Sequence, residues 1–214
     1  MGILVLLIAA AAAGAALTGA LLPLIERYAP AEARVRHRAW IPALLAGLLW
    51  AAAVYRFPED PYLFACLPVT VLVVWAAWVD WRCHALPLQL TLGAGAVAAA
   101  GVVLADAASG STGSWIRAIA LGAALGGALT LVGVLAPQLF AFGDVLLAIP
   151  LAILIGYWGW EQALMLPFAA ALAALPGTLI AAVRARSLAV YLPFGPALVA
   201  GAVLMIAAAS AVAQ

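Results

Sequence analysis

Asp80 and Asp144 are carboxylates placed where an apolar chain tolerates charge least. Asp80 closes one hydrophobic run and opens Asp80-Trp81-Arg82-Cys83-His84-Ala85-Leu86-Pro87; Asp144 follows Phe142-Gly143 and leads into Val145-Leu146-Leu147-Ala148-Ile149. The chain has only eight acidic residues in 214, so two of them at the ends of membrane segments are the first candidates for chemistry. Two neighbouring carboxyls do not both ionise easily; they share one proton and titrate as a pair. The ionised member can deprotonate a water while the protonated member polarises a peptide carbonyl. That is aspartic-protease chemistry, and it needs no cofactor and no metal. Gly143, without a Cβ, lets the backbone there approach a substrate strand or a partner helix closely. Taken singly, each aspartate has a plainer reading: Asp80 as an interfacial partner of Arg82, Asp144 as the N-cap of the next helix. A third reading is a transporter that uses both acids as proton relays.

The elements that must position these residues follow from composition. The chain is 69% hydrophobic and 8% charged, with a mean hydropathy of +1.23, far from the ~25% charged residues of a soluble domain. The expected class is an all-α polytopic membrane protein, a single domain over residues 1–214. No basic run is long enough to point to nucleic acid. Cys66 and Cys83 fall at opposite ends of one expected helix, too far apart for a disulfide, and no Cys/His spacing suggests a metal site.

Apolar stretches and their breaks predict eight spans, at about 3–25, 40–57, 62–79, 85–105, 116–137, 145–158, 162–183 and 192–213. A ~30 Å hydrocarbon core takes ~20 helical residues. The sixth span is short and carries Pro150, which predicts a kink or a partly unwound start. The first run has no positive residues before it and Arg27, Arg34, Arg36 and Arg38 after it. It therefore reads as a retained first helix with its N-terminus outside, not as a cleaved signal peptide. With both termini outside, Arg82, Arg184 and Arg186 join those four on the cytoplasmic side, against Arg56 and Arg117 outside. The same topology brings Asp80 and Asp144 to the cytoplasmic ends of spans three and six, although neither was used to choose it.

Three motifs then occur in order: Asp80-x-Arg82 with Leu86-Pro87 after the third span, Phe142-Gly143-Asp144-Val145-Leu146-Leu147 opening the sixth, and Tyr191-Leu192-Pro193-Phe194-Gly195-Pro196 before the last. Together they resemble the type IV prepilin peptidases, GxGD-type aspartic intramembrane proteases, over about residues 60–205. The resemblance implies that Asp80 and Asp144 are the catalytic pair, with Gly143, Arg82 and the segment Pro193, Phe194, Gly195 and Pro196 in support. It implies a multi-pass enzyme of the bacterial cytoplasmic membrane, in contact with lipid. Its substrate would be a type IV prepilin, a Flp-type prepilin or a pseudopilin, cut on the cytoplasmic face just before the pilin's hydrophobic helix. A scissile bond must be extended to expose its carbonyl, and a Gly/Pro-rich loop at 192–196 is a candidate receiver for that strand.

The chain departs from the family pattern at several points. The first glycine of the family motif is Ala141, the lysine usual two positions after the second aspartate is Leu146, and the position after Leu86-Pro87 is Leu88. The first cytoplasmic loop, residues 26–39, lacks the cysteine-bearing insert of members that also methylate the new N-terminus. The expectation is a peptidase without the methylation module. An inactive relative that kept the fold is the competing reading. His37 reads as a headgroup-facing residue and His84, four positions after Asp80, as local tuning. Gly122 and Gly126, with Gly127, form a GxxxG face for close helix packing, and Gly93 and Gly101 do so more loosely. The tryptophans mark span ends, Trp50 being the expected exception.

Overall fold

A computed structural model describes residues 2–28, 38–111, 113–136, 141–187 and 193–212, all of it helix and connecting turns. Among the described residues ten helices follow one another: α1 Gly2–Ala20, α2 Leu22–Tyr28, α3 Trp40–Arg56, α4 Leu63–Cys83, α5 Leu88–Ser109, α6 Ser114–Leu135, α7 Phe142–Gly156, α8 Trp160–Leu164, α9 Leu166–Ala185 and α10 Gly195–Val212. Five of them, α1, α4, α5, α6 and α9, are long and apolar enough to cross a membrane; α3, α7 and α10 are shorter apolar helices. Large apolar side chains such as Leu4, Ile8, Leu131, Leu179 and Val183 stand exposed on the outer helices, as they do when the surrounding solvent is lipid.

Helix boundaries differ from the expected spans for identifiable reasons. The first span divides at Leu21, because Pro23 in the following turn has no N–H to continue the ladder. The seventh divides at Met165 for the same reason, with Pro167 opening α9. Pro150 does not interrupt α7, which runs from Phe142 through it to Gly156, so the start is helical and not unwound. α4 continues one turn past Val79 and keeps Asp80 inside the helix, ending only where His84 takes a left-handed conformation (φ 51°). The arginines at 34 and 36, His37, Tyr191 and Leu192 lie outside the described residues.

The core is built on α4 and α7. Both are buried along most of their length, and each also packs against α5 and α10. α6 lies on α7, α3 on α4, α1 on α3, and α9 on α10. Glycines set the closest of these approaches. A Cβ at Gly122 would come within 2.5 Å of Ile153, one at Gly126 within 2.7 Å of Ile149, and one at Gly101 within 2.4 Å of the Ala65 backbone. Gly93 and Gly127 face open space instead and make no such contact.

Trp50 donates to the Leu67 carbonyl at 2.8 Å, and the fully buried Trp75 donates to the Thr18 carbonyl at 2.9 Å, tying α4 to α1. Cys66 and Cys83, at opposite ends of α4, are free thiols.

At the end of the bundle where α4 begins and α7 finishes, aromatic rings pack together. Phe57 stacks on Trp158, and Tyr62 on Tyr157, with centroids 5.1 and 5.3 Å apart. Arg117 caps the last turn of α7, donating from Nε to Gly156 O at 3.1 Å and from Nη2 to Tyr157 O, where free helix carbonyls attract a cation. The opposite end holds the candidate site.

Candidate active site

Asp80 and Asp144 come from neighbouring helices of opposite direction. Asp80 sits in the last turn of α4, Asp144 in the first turn of α7, and α4 packs against α7. Both side chains are buried, 5% and 7% exposed.

Each carboxylate is held by a backbone N–H. Gly195 N donates to Asp80 Oδ2 at 2.8 Å, across 115 residues of sequence. Ala141 N donates to Asp144 Oδ2 at 3.3 Å, while Asp144 N donates to Ala141 O at 3.0 Å. The helix therefore starts with Ala141 as its N-cap, in extended conformation (φ −76°, ψ 147°), and Asp144 three residues in. Asp144 is not the N-cap of the plainer reading. It reaches back from the first turn to the cap's N–H, as an acidic residue at that position commonly does.

The three motifs meet. Gly143 lies against Leu86, where an added Cβ would come within 2.9 Å of the Leu86 Cβ. This brings the Leu86-Pro87 turn, which ends in the buried Pro87 and starts α5, onto the opening of α7. Leu86 is a site-forming residue whose partner the sequence alone did not identify. Gly195 lies against Asp80 so closely that a Cβ there would come within 2.7 Å of Oδ2. Pro193 and Gly195 are buried, Phe194 packs against the hydrophobic core, and Gly195-Pro196 begins α10. The described part of the Gly/Pro segment is thus seated on the first aspartate.

Arg82 is not brought to Asp80. Two positions further along the helix it is exposed, and the two form no ion pair among the described residues. His84, four positions after Asp80, is also exposed. Two grooves border the site and share Trp81 and Pro196. One of about 720 Å³ between α3, α4 and α10 is walled by residues such as Leu45, Trp78 and Val203. The other, of about 910 Å³, lies between α9 and α10, walled by Ala174, Gly177 and Pro193 with Arg184 as its charged residue.

Asp106, by contrast, is a structural carboxylate at the far end of α5. It is 2% exposed. It accepts from Ser111 Oγ at 2.7 Å, Gly113 N at 3.1 Å and Trp115 N at 3.3 Å, so it closes the α5–α6 turn and caps the start of α6. The signal in the sequence was an acid at the end of an apolar run followed by a Ser/Gly turn.

No protein-family model, curated protein or solved structure matches the chain.

Proposed function

We propose that this chain is an aspartic endopeptidase of the bacterial cytoplasmic membrane that removes the leader of type IV prepilin-like substrates: a pilin, a Flp-type pilin or a pseudopilin. The observation that carries this reading is the pair itself: two buried aspartates on adjoining helices, each fixed by a backbone amide. One carboxylate deprotonates the water and the other, protonated, polarises the scissile carbonyl and then protonates the leaving amine.

The membrane arrangement belongs to the same reading. α1 with α2 makes the first crossing and α8 with α9 the seventh; α3, α4, α5, α6, α7 and α10 supply the others, with both termini outside. Arg27, Arg38, Arg82, Arg184 and Arg186 then lie on the cytoplasmic side with the two aspartates, and Arg56 and Arg117 on the other. At ~1.5 Å per residue the 15-residue α7 is roughly 22 Å long, short of a ~30 Å hydrocarbon core. Asp144, in its first turn, is at the cytoplasmic end of this helix in that arrangement, where a prepilin's cut site meets its hydrophobic helix. With no cysteine-bearing insert in residues 26–39, the chain lacks the methylation module of the family's bifunctional members.

The test is co-expression of candidate prepilins with wild type, Asp80→Ala and Asp144→Ala, following leader removal by gel shift. Cleavage by wild type and by neither variant is expected. Cleavage that survives either substitution removes the dyad mechanism, and no cleavage of any host prepilin removes the assignment.

A further inference from the structure

Resting on the peptidase reading, we propose that the backbone N–H groups of Ala141 and Gly195 are the positioning donors of the dyad. Each holds Oδ2 of one aspartate and so commits Oδ1 of both to the water and the scissile carbonyl. An aspartate's terminal torsion is broad and nearly two-fold, so a helix fixes where the carboxyl is but not which oxygen faces the reaction. A backbone amide in a packed turn supplies that choice, because unlike a side-chain donor it has no rotamer through which to swing away.

The two donors arrive from different directions. Ala141 belongs to the turn that starts α7, and Gly195 to the opening of α10. At both positions the N–H does the work and the side chain does none, which gives the alanine at 141 a physical account. Its methyl is on an exposed residue and its φ and ψ are open to any L-residue, so the position keeps its function without a glycine. Gly195 has no such freedom, since a Cβ there meets the carboxylate that its N–H holds.

An acidic residue bonding back to its N-cap also stabilises a helix start without any catalytic consequence, so the experiment must separate the two roles. Ala141→Pro removes the donor at a φ (−76°) that suits proline, and sets the ring Cδ toward the carboxylate in its place. Phe142→Pro is the matched control. It places proline at the first helical position, where it is tolerated, after a residue whose extended conformation it requires, and it leaves the Ala141 N–H in place. In prepilin cleavage by the purified full-length protein, Phe142→Pro retains wild-type kcat and KM. Ala141→Pro keeps KM, loses kcat by roughly 10- to 100-fold as a misplaced catalytic group does, and moves the pH optimum, with a melting temperature matching the control. Equal kcat and pH profiles for the two proline variants overturn the proposal while leaving the peptidase standing. If Ala141→Pro does not fold, lactic acid at 141 and glycolic acid at 195, each exchanging one N–H for an ester oxygen, give the same loss of kcat; unchanged kcat in both overturns it. Absence of cleavage by wild type overturns the peptidase reading and this inference with it.

Discussion

Leu86 and Gly143 touch with no room for a methyl group between them: a Cβ on Gly143 would come within 2.9 Å of Leu86 Cβ and 3.1 Å of its Cδ1. The turn after Asp80 and the turn before Asp144 are thereby locked into one surface. Gly143→Ala must move either the Leu86 turn or the start of α7. Overpacking of this kind costs about 1–3 kcal/mol, and a displaced catalytic group costs up to ~100-fold in rate. Thermal unfolding in detergent and prepilin cleavage are expected to fall together, the rate by more than the stability accounts for.

Gly195→Ala puts a methyl 2.7 Å from Asp80 Oδ2. The carboxylate has to rotate or α10 has to withdraw, and either loosens the 2.8 Å hydrogen bond from Gly195 N. A destabilisation of about 1–3 kcal/mol is expected from the overpacking, together with a loss of kcat of at least ~10-fold per folded molecule. A variant as active as wild type shows that Asp80 does not depend on this contact.

Asp106→Ala tests the opposite end of the bundle. It removes the charged acceptor shared by the N–H groups of Gly113 and Trp115 and the hydroxyl of Ser111, and a hydrogen bond to a charged group contributes roughly 1.5–3 kcal/mol. Lower thermal stability is expected, with kcat per folded molecule retained, because nothing in this turn reaches the aspartate pair. A specific loss of kcat at full stability contradicts the structural role.

The pH–rate profile follows from one proton shared between two carboxyls. Lowering the pH protonates the member acting as base, and raising it ionises the member acting as acid, so activity falls on both sides of an optimum. A bell-shaped kcat/KM is expected from initial rates of prepilin cleavage at constant ionic strength. A rate flat across the acidic range excludes a carboxylate base.

The sequence carried the aspartates themselves, because a charge at the edge of an apolar run is conspicuous, and it carried the all-helical architecture through the length of those runs. It misplaced the helix ends around them. Hydropathy falls at Asp80, but the backbone ladder does not stop at a polar side chain; it continues to Cys83 and yields only where His84 becomes left-handed. Prolines were equally ambiguous: Pro23 and Pro167 coincide with breaks, whereas Pro68, Pro150 and Pro176 sit within continuous helices. Whether a proline divides a span depends on the packing around it, which one sequence does not display. The Asp80–Arg82 pairing failed for a simpler reason, since residues two apart on a helix do not face each other.

The contact between Gly195 and Asp80 bears on how the molecule is made. Asp80 emerges from the ribosome 115 residues before the amide that holds it, so a nascent chain carrying both aspartates still lacks the group that seats the first of them. The last helix completes the site, and a partly synthesised or C-terminally truncated chain holds both acids without a formed dyad. The order of synthesis therefore sets when that amide can reach Asp80.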